Sequence, residues 1–243
     1  MGINVEAIYK STWDHYQKAK RTLIALNESR ALEHFDAAIS DVIPGFSADK
    51  LEFGSYDEEN YAVLFVDMRR STERARTVGA QKTFLTMHVF LPALLEVVQH
   101  YHGKVIDIMG DGLMVFWGGK VAHEKEKMTN DIAMQNAGLC GRDMLTVCEK
   151  VINPIVSKEN LGHSISIGVG VTFDRVVVTK IGISGSYDVK AFGDCINTAS
   201  KYANSGENRV KVSKKVKDSW PSSKGGKIRF TSTEDGAYIL HSI

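Results

Sequence analysis

The spacing of hydrophobic positions changes once along the chain, near residue 44. Over residues 4–41 apolar side chains recur at helical spacing, with Lys and Arg between them. The stretch Asn27-Glu28-Ser29 divides this pattern into two predicted helices, with Ser29 as a candidate N-cap, and Pro44-Gly45 ends it. We therefore predict a helical extension over residues 1–48 that serves packing or dimerisation. Its apolar positions are Ile8, Trp13, Tyr16, Leu23, Leu26, Leu32, Phe35 and Ile39.

Residues 49–243 instead alternate short apolar runs with helical patterns. YAVLFVDM, residues 61–68, predicts a buried strand, and a helix follows that Gly103 closes. Residues 104–118 predict a hairpin that turns at Gly110-Asp111-Gly112. A helix is predicted over 128–151, two strands within 164–182, a helix after Asp194, a strand and a helix within 209–220, and a terminal strand pair. This order predicts an α+β fold of the ferredoxin-like kind, a mixed sheet covered by helices on one face.

Charge and cysteine content exclude several classes of protein. The formal net charge is +1, so the composition indicates neither a nucleic-acid partner nor a membrane surface. No apolar run approaches the roughly 18 residues that a membrane span needs. Cys140, Cys148 and Cys195 form no CxxC pair, which argues against a disulfide framework or a zinc site. We expect a cytoplasmic protein whose thiols are small buried side chains.

Two acidic residues are the candidates for chemistry. Asp67 ends the first predicted strand and Asp111 lies at the tip of the hairpin, so the two carboxylates converge if the hairpin lies beside that strand. A lone aspartate at a strand end is more often a cap, but two close carboxylates repel unless a cation lies between them. Mg²⁺ is commonly held by one or two carboxylates together with substrate phosphates.

The segment after Asp67, MRRSTERA, begins a helix, and a helix N-terminus binds phosphate through its free N–H groups. The chain has no GxxxxGK[ST] motif, which excludes a P-loop protein. A carboxylate pair beside a helix start predicts a site for a nucleoside triphosphate.

Four motifs, VLFVDMRRST, GKVIDIMGDGLMVFWG, SIGVGV and YDVKAFGDCINTASKYA, resemble the class III nucleotidyl cyclase catalytic domain in order and spacing. The resemblance covers about residues 60–216 and is strongest to the bacterial pyrimidine cyclases of the Pycsar antiphage systems. It implies that a ribose 3′-hydroxyl attacks its own α-phosphate, so that pyrophosphate leaves and a 3′,5′-cyclic nucleotide forms.

The resemblance also implies roles for individual residues. Asp67, the Met68 carbonyl and Asp111 match the ligands of two divalent cations, Mg²⁺ or Mn²⁺. Asn197 matches the asparagine that orients the ribose, and Lys201 stands where the family has an arginine that stabilises the transition state. Lys keeps the charge but loses the planar fork of Arg. The phosphates are assigned to the residues at the start of the predicted helix, Arg69, Arg70, Ser71 and Thr72.

Two positions that recognise the base in this family depart from both common purine patterns. The position that is usually Lys in adenylate cyclases and Glu in guanylate cyclases is Asp107, and the second position is Lys190. With Lys190 donating and Asp107 accepting, uracil, cytosine and guanine all satisfy the pair. We favour UTP, since uracil offers a carbonyl acceptor and an imide N–H. A salt bridge between the two residues that recognises no base is the structural alternative.

Other features of the pattern leave further alternatives open. The family's triphosphate-binding lysine near the C-terminus has no clear match, although Lys227 and Arg175 are candidates. The glycine that the family has in a turn between two strands is replaced by Asp174 or Arg175. A purine cyclase with unusual base recognition, or a silent cyclase-like module, therefore competes with a cyclase that makes cyclic UMP or cyclic CMP. The family implies a homodimer with two shared sites. The Pycsar resemblance implies a downstream effector that responds to the cyclic nucleotide.

Overall fold

The computed structural model describes residues 2–28, 52–119, 128–183, 186–221 and 226–242. It contains the long helix α1 (Val5–Glu28), which confirms the first part of the predicted extension. The second predicted helix, its N-cap at Ser29 and the boundary at Pro44-Gly45 lie outside the described residues. None of the described helices has both the length and the apolar composition needed to cross a bilayer.

The elements that follow agree with the predicted order. They are β1 (Tyr56–Met68), α2 (Ser71–His100), β2 (Lys104–Ile108), β3 (Gly112–Gly118), α3 (Asn130–Val147), a π-helical turn (Cys148–Ile152), α4 (Asn153–Lys158), β4 (Ile167–Ile183), β5 (Ser186–Phe192), α5 (Asp194–Asn204), β6 (Arg209–Val212), α6 (Lys214–Asp218), β7 (Ile228–Ser232) and β8 (Tyr238–Ser242). Helix α2 is kinked at Gly79, where φ is 80°.

One predicted division was wrong. Residues 164–182 were expected to form two strands, but β4 is one strand of 17 residues that pairs with β1 from Tyr56 to Met68. The turn glycine of the family is absent at this point. Asp174 and Arg175 instead stay extended opposite Tyr61 and Asn60, so the strand continues without a break.

The strands described form one mixed sheet in the order β2-β3-β1-β4-β6-β8-β7, with β5 paired to the far half of β4. Strand β1 is antiparallel to β3 and β4, while β4 is parallel to β6. The central strand is buried on both faces. Ala62, Leu64 and Val66 point to one hydrophobic cluster, and Val63 and Phe65 to the other.

The two faces of the sheet are covered unequally. Helices α1 to α4 lie against the face of Leu64, and α1 is held there by Tyr16, whose hydroxyl donates to Glu159 at 2.6 Å, and by Lys20, which pairs with the same carboxylate at 2.8 Å. Helix α5 lies on the opposite face and contributes Cys195 and Ala199 to the second cluster. The expectation that helices cover one face is therefore corrected, since α5 covers the other.

Candidate active site

The two acidic residues singled out from the sequence meet at one end of the sheet. Strand β1 ends in Asp67-Met68, and Asp67 lies directly opposite Gly112, the first residue of β3. Asp111 precedes that glycine in the turn, and the Met68 N–H donates to the Asp111 carbonyl at 3.1 Å. The hairpin thus lies beside β1, as predicted, because seven consecutive residue pairs join the two strands.

The carboxylates of Asp67 and Asp111 carry the same charge and repel each other. Burial raises the pKa of Asp67 above its ordinary value, the neighbouring charge of Asp111 raises it further, and Arg69 lowers it. The fold therefore holds two carboxylates where a cation between them would be favourable.

The donor set fits a hard divalent cation. Met68 is almost fully buried, 2% exposed, and its main chain lies beside the carboxylates because its N–H is bonded to the Asp111 carbonyl. Within the described part of the chain, no group of three or more His, Cys, Asp or Glu side chains is arranged so that it could hold a metal ion. Two carboxylates plus a carbonyl leave coordination positions for substrate oxygens, which suits Mg²⁺ rather than a closed structural site.

Gly112 is required for this close approach. A Cβ atom there would lie 2.6 Å from the Val66 carbonyl oxygen, closer than atoms can approach. The GDG sequence of the hairpin therefore serves β1 packing as well as the turn, which brings Asp111 to the end of β1.

The start of α2 lies next to the carboxylate pair. Its N-cap, Arg70, has left-handed backbone angles (φ 55°, ψ 32°) and provides no side-chain cap, and its guanidinium extends to Glu207 at 3.5 Å. The first-turn N–H groups, at Ser71 and Thr72, thus lack a capping side chain. That arrangement suits an anion.

Arg69, expected at the phosphates, is held elsewhere. Its Nη1 donates to Asp67 Oδ2 at 3.0 Å, to Asn204 Oδ1 at 2.8 Å and to the Ala203 carbonyl at 3.4 Å. Sequence reasoning did not find this contact, because Asn204 and Ala203 lie 135 and 134 positions further along the chain.

Asn197 and Lys201 lie one turn apart on the exposed face of α5. The opposite face packs on two glycines of β4. A Cβ atom added to Gly168 would lie 1.9 Å from the Ala203 carbonyl oxygen, and one added to Gly170 would lie 2.0 Å from the Ala199 carbonyl oxygen. The SIGVGV motif thus allows the helix backbone to rest directly on the sheet. This contact fixes the height of both polar side chains above β4.

Asp107 reaches its face of the sheet through a β-bulge. Val105 lies opposite Val115, but Asp107 lies opposite Met114, so Ile106 is an extra residue in β2. Simple alternation would put Asp107 on the face of Val105, under the helices of the first cluster. The bulge moves it to the face of Met114, which is also the face of α5.

Lys190 lies on β5 opposite Thr179, and its side chain is 56% exposed. Its ammonium group pairs with Asp188 at 2.6 Å. The lysine therefore has a counter-ion two residues away in its own strand, and a pair with Asp107 is not needed to neutralise it.

Two residues, Lys227 and Arg175, were candidates for binding the distal phosphates. Lys227 is exposed just before β7, and Arg175 pairs with Glu58 at 3.3 Å. A cation that sequence reasoning missed is Lys211 on β6, whose side chain is only 9% exposed and pairs with Asp235 in the β7–β8 turn at 2.6 Å. Its position inside an apolar strand gave no signal of a charged contact.

The fold and the carboxylate pair together define a class III nucleotidyl cyclase domain. Residues 54–240, more than half of the chain, match the adenylate and guanylate cyclase catalytic domain family. The chain therefore belongs to that family. Both predictions, the family and its fold, are confirmed.

Two relatives of known activity are similar to the chain. The uridylate cyclase of Gulbenkiania mobilis is 28% identical over 196 residues, which cover 78% of this chain and 70% of that protein. A cytidylate cyclase of Escherichia coli is 25% identical over 218 residues, which cover 82% of this chain. The chain spans less than half of that second relative, 46% of its length.

Solved cyclase structures share the fold. The adenylyl cyclase CyaB from P. aeruginosa superposes with a TM-score of 0.62 at 19% identity, covering 78% of this chain and 96% of that one. The guanylate cyclase domain of RhGC from Catenaria anguillulae, solved in complex with GTP, gives 0.61 at 16% identity, covering 76% and 98%.

Proposed function

We propose that this chain is a uridylate cyclase, which converts UTP to cyclic UMP and pyrophosphate. The observation that carries the proposal is the pairing of Asp67 with Asp111 beside the uncapped start of α2. Similarity to a uridylate cyclase supports the choice of UTP. In the reaction the ribose 3′-oxygen forms a bond to the α-phosphorus, the bond to the bridging oxygen of the β-phosphate breaks, and the hydroxyl proton is lost.

Asp67 and Asp111 would hold two divalent cations, Mg²⁺ or Mn²⁺, with the Met68 carbonyl. Such cations lower the pKa of the attacking hydroxyl and neutralise the charge of the leaving phosphates. The N–H groups of Ser71 and Thr72, supported by the exposed guanidinium of Arg70, bind the triphosphate oxygens.

The remaining roles fall to two polar side chains of α5. Asn197 hydrogen-bonds the ribose and holds its 3′-hydroxyl in line with the phosphate. The Lys201 ammonium stabilises negative charge that develops at the α-phosphate, as a point charge without the fork of an arginine. Both side chains are exposed, so a substrate can reach them.

Base recognition falls to Lys190 and Asp107. Lys190 donates to a uracil carbonyl oxygen and Asp107 accepts from N3–H. The bulge at Ile106 supports the role of Asp107 alone, because it turns this residue away from the helical core and toward the face of α5. Lys190 alternates with Val189 and Ala191, which point to that face, and so lies on the other face of its strand. Cytosine satisfies the same pair through N3 and its amino group, and the similarity to a cytidylate cyclase makes CTP the second candidate.

We further propose that the sites are shared in a homodimer. Asn197 lies seven positions, about 10 Å of helix, from Asn204, the residue that Arg69 ties to Asp67. Four large apolar side chains are exposed on one face of the β1–β4–β5 arm, and a second copy of the chain would bury them. They are Tyr56, Ile181, Ile183 and Phe192, which are 69%, 49%, 73% and 50% exposed.

The deciding experiment incubates the purified chain with Mn²⁺ and each of the four nucleoside triphosphates separately, and identifies products by mass. Cyclic UMP is the expected main product, and Asp67→Asn should abolish it. Cyclic CMP alone would transfer the assignment to CTP, and cyclic AMP or cyclic GMP alone would overturn the base assignment. No product from any nucleotide would favour a silent module.

The base contacts are tested with Asp107→Asn. Its side-chain amide can still accept one hydrogen bond but carries no charge, so we expect kcat/KM for UTP to fall about 10- to 100-fold. Asp14→Asn, an exposed change on α1, is the control and should leave the rate unchanged. An unaltered rate in Asp107→Asn would exclude contact with the base.

The cyclic nucleotide would act as an alarm signal to a separate effector in antiphage defence. This role rests on the similarity to pyrimidine cyclases. Extracts of cells that express the chain, taken before and after phage infection, should show a rise in cyclic UMP. An unchanged level after infection would contradict the role.

A further inference from the structure

Arg69 joins two parts of the molecule that the proposed chemistry treats separately. A single guanidinium nitrogen contacts Asp67 Oδ2 at 3.0 Å, Asn204 Oδ1 at 2.8 Å and the Ala203 carbonyl at 3.4 Å. The Arg69 and Asp67 side chains are 21% and 32% exposed, so this ion pair is partly screened from water. The neighbouring Arg70 differs, because its side chain is 75% exposed and pairs with Glu207 at the longer distance of 3.5 Å.

We propose that Arg69 is a positioning residue that competes with the divalent cation for Asp67. The proposal rests on the proposed function, in which Asp67 and Asp111 hold the cations. Arg69 occupies one oxygen of Asp67 before a cation arrives, and it offsets the repulsion between the two aspartates. A cation that takes Asp67 Oδ2 must displace the guanidinium or bind against its charge.

The contacts with α5 lower the free-energy cost of displacing the Arg69 guanidinium from Asp67. Ala203 and Asn204 lie in the last turn of α5, where carbonyl oxygens carry partial negative charge. The guanidinium keeps these two acceptors when Asp67 turns to a cation, so it does not need to return to water. Arg69 therefore holds the Asp67 carboxylate in place before a cation binds, and it lowers the affinity of the nucleotide-free site for the cation.

The contact also fixes the end of α5 to the end of β1. The Arg69 N–H donates to the Ser166 carbonyl at 2.9 Å, so the main chain of the arginine is held by the segment that leads into β4. Its side chain then restrains the last turn of the helix. Replacing Arg69 should loosen this turn while leaving the contact of Gly170 with the Ala199 carbonyl, one turn earlier, in place.

The test measures Mn²⁺ binding to the nucleotide-free protein by electron paramagnetic resonance of the unbound ion. R69Q should bind Mn²⁺ about 3- to 10-fold more tightly than the wild-type protein, because a positive charge 3.0 Å from the ligand oxygen is removed. R76Q is the control: it removes an equal charge at an exposed position of α2 that has no role in the proposed site, and it should bind within about twofold of wild type. R69K keeps the charge and should also stay close to wild type.

R69M, which keeps the apolar stem, provides a second neutral variant should R69Q fold poorly, and thermal unfolding confirms the fold of each protein. Unchanged or weaker Mn²⁺ binding in a folded neutral variant would overturn the competition. Hydrogen exchange adds a readout that does not depend on metal: the amides of the last α5 turn should exchange faster in R69Q than in R76Q, and equal rates would refute the anchor.

D67N separates this inference from the function on which it rests. If D67N loses Mn²⁺ binding that the wild-type protein has, the metal site stands, and the behaviour of R69Q alone decides the role of Arg69. If D67N binds Mn²⁺ as wild type does, the proposed metal site fails and the competition fails with it.

Discussion

Asp67 has an environment that disfavours its own charge in the metal-free protein. Its pKa is raised by burial and by Asp111, and the pairing with Arg69 only partly opposes these effects. A structural aspartate of this kind would usually be hydrogen-bonded or paired in a way that lowers its pKa. This environment agrees with the proposed role of Asp67 as a ligand of a cation.

Asp67→Asn should raise the melting temperature of the metal-free protein by about 1–3 °C at neutral pH, because an unfavourable charge is removed. A carboxyl whose folded pKa is raised destabilises the fold above that pKa, and the penalty disappears as the pH falls toward the ordinary value of 3.8. The two melting curves should converge there. Addition of Mn²⁺ should stabilise only the wild-type protein, and equal stabilisation of both would contradict a cation at Asp67.

At the scale of elements, α5 owes its position to two glycines of β4. Because Gly168 and Gly170 lack side chains, the carbonyl groups of Ala203 and Ala199 come within a distance that no Cβ atom would permit. Helix α5 then carries Asn197 at a fixed height above the sheet. The two glycines of the SIGVGV motif are therefore required for the packing of α5 on β4, and this packing sets the position of Asn197.

Gly170→Ala should force α5 away from β4. We expect a loss of about 2–3 kcal/mol in the free energy of unfolding and a further loss of cyclase activity as Asn197 moves. Thermal unfolding and product formation measure the two effects. Gly206→Ala is the control, because the three atoms nearest to its Cβ all belong to the flexible end of Arg209, which can move away. Equal stability of Gly170→Ala and wild type would show that the helix does not depend on this contact.

The β7–β8 turn is held by a second charged contact, in which Lys211 donates to Asp235 and lies over the ring of Tyr202. This hydrogen bond, supported by Thr233, lowers the pKa of Asp235 to about 2. A lowered carboxyl pKa stabilises the fold above the unfolded value of 3.8, and the stabilisation is lost as the pH falls through that value toward 2.

Asp235→Asn should lower the free energy of unfolding by about 1–2 kcal/mol at pH 7, since it leaves the buried Lys211 ammonium without a counter-ion. The value is modest because Asp235 is 54% exposed. Lys211→Met should cost less, because the remaining carboxylate is hydrated. Chemical denaturation at pH 7 and at pH 3 measures both changes, and the Asp235→Asn deficit should be smaller at pH 3. A deficit that stays constant with pH would exclude the ion pair as its source.

At the scale of the whole molecule, the carboxylate pair and Lys190 lie in different parts of the chain, and an apolar arm is exposed. Asp67 and Asp111 lie at one end of β1, while Lys190 lies far along the β4–β5 arm, opposite Thr179. The same arm exposes Tyr56, Ile181, Ile183 and Phe192. A twofold dimer would bury these side chains and complete two equivalent sites.

Mixing Asp67→Ala and Lys201→Ala chains, each inactive alone, should restore about a quarter of the wild-type activity. Random pairing makes half of the dimers mixed, and each mixed dimer has one intact site of two. A mixture of Asp67→Ala with Asp111→Ala is the matched control and should stay inactive, since every site then lacks one carboxylate. Absence of activity in the first mixture, despite mixed dimers detected by mass, would contradict shared sites.

The sequence by itself determined most of the described elements, because alternation, helical spacing and turn residues are local patterns, and its four motifs determined the family. The meeting of Asp67 with Asp111 followed from the sequence once the hairpin was placed beside the first strand. Asn197 and Lys201 on one face of a helix follow from their spacing alone. The tertiary structure decided what depends on neighbours distant in sequence. The unbroken β4, the helix on the second face and the bulge that turns Asp107 toward α5 arise from pairing and packing between elements. The bond from Arg69 to Asp67 and α5 likewise required the fold, since its acceptors lie 2 and 135 residues away and only packing brings them together.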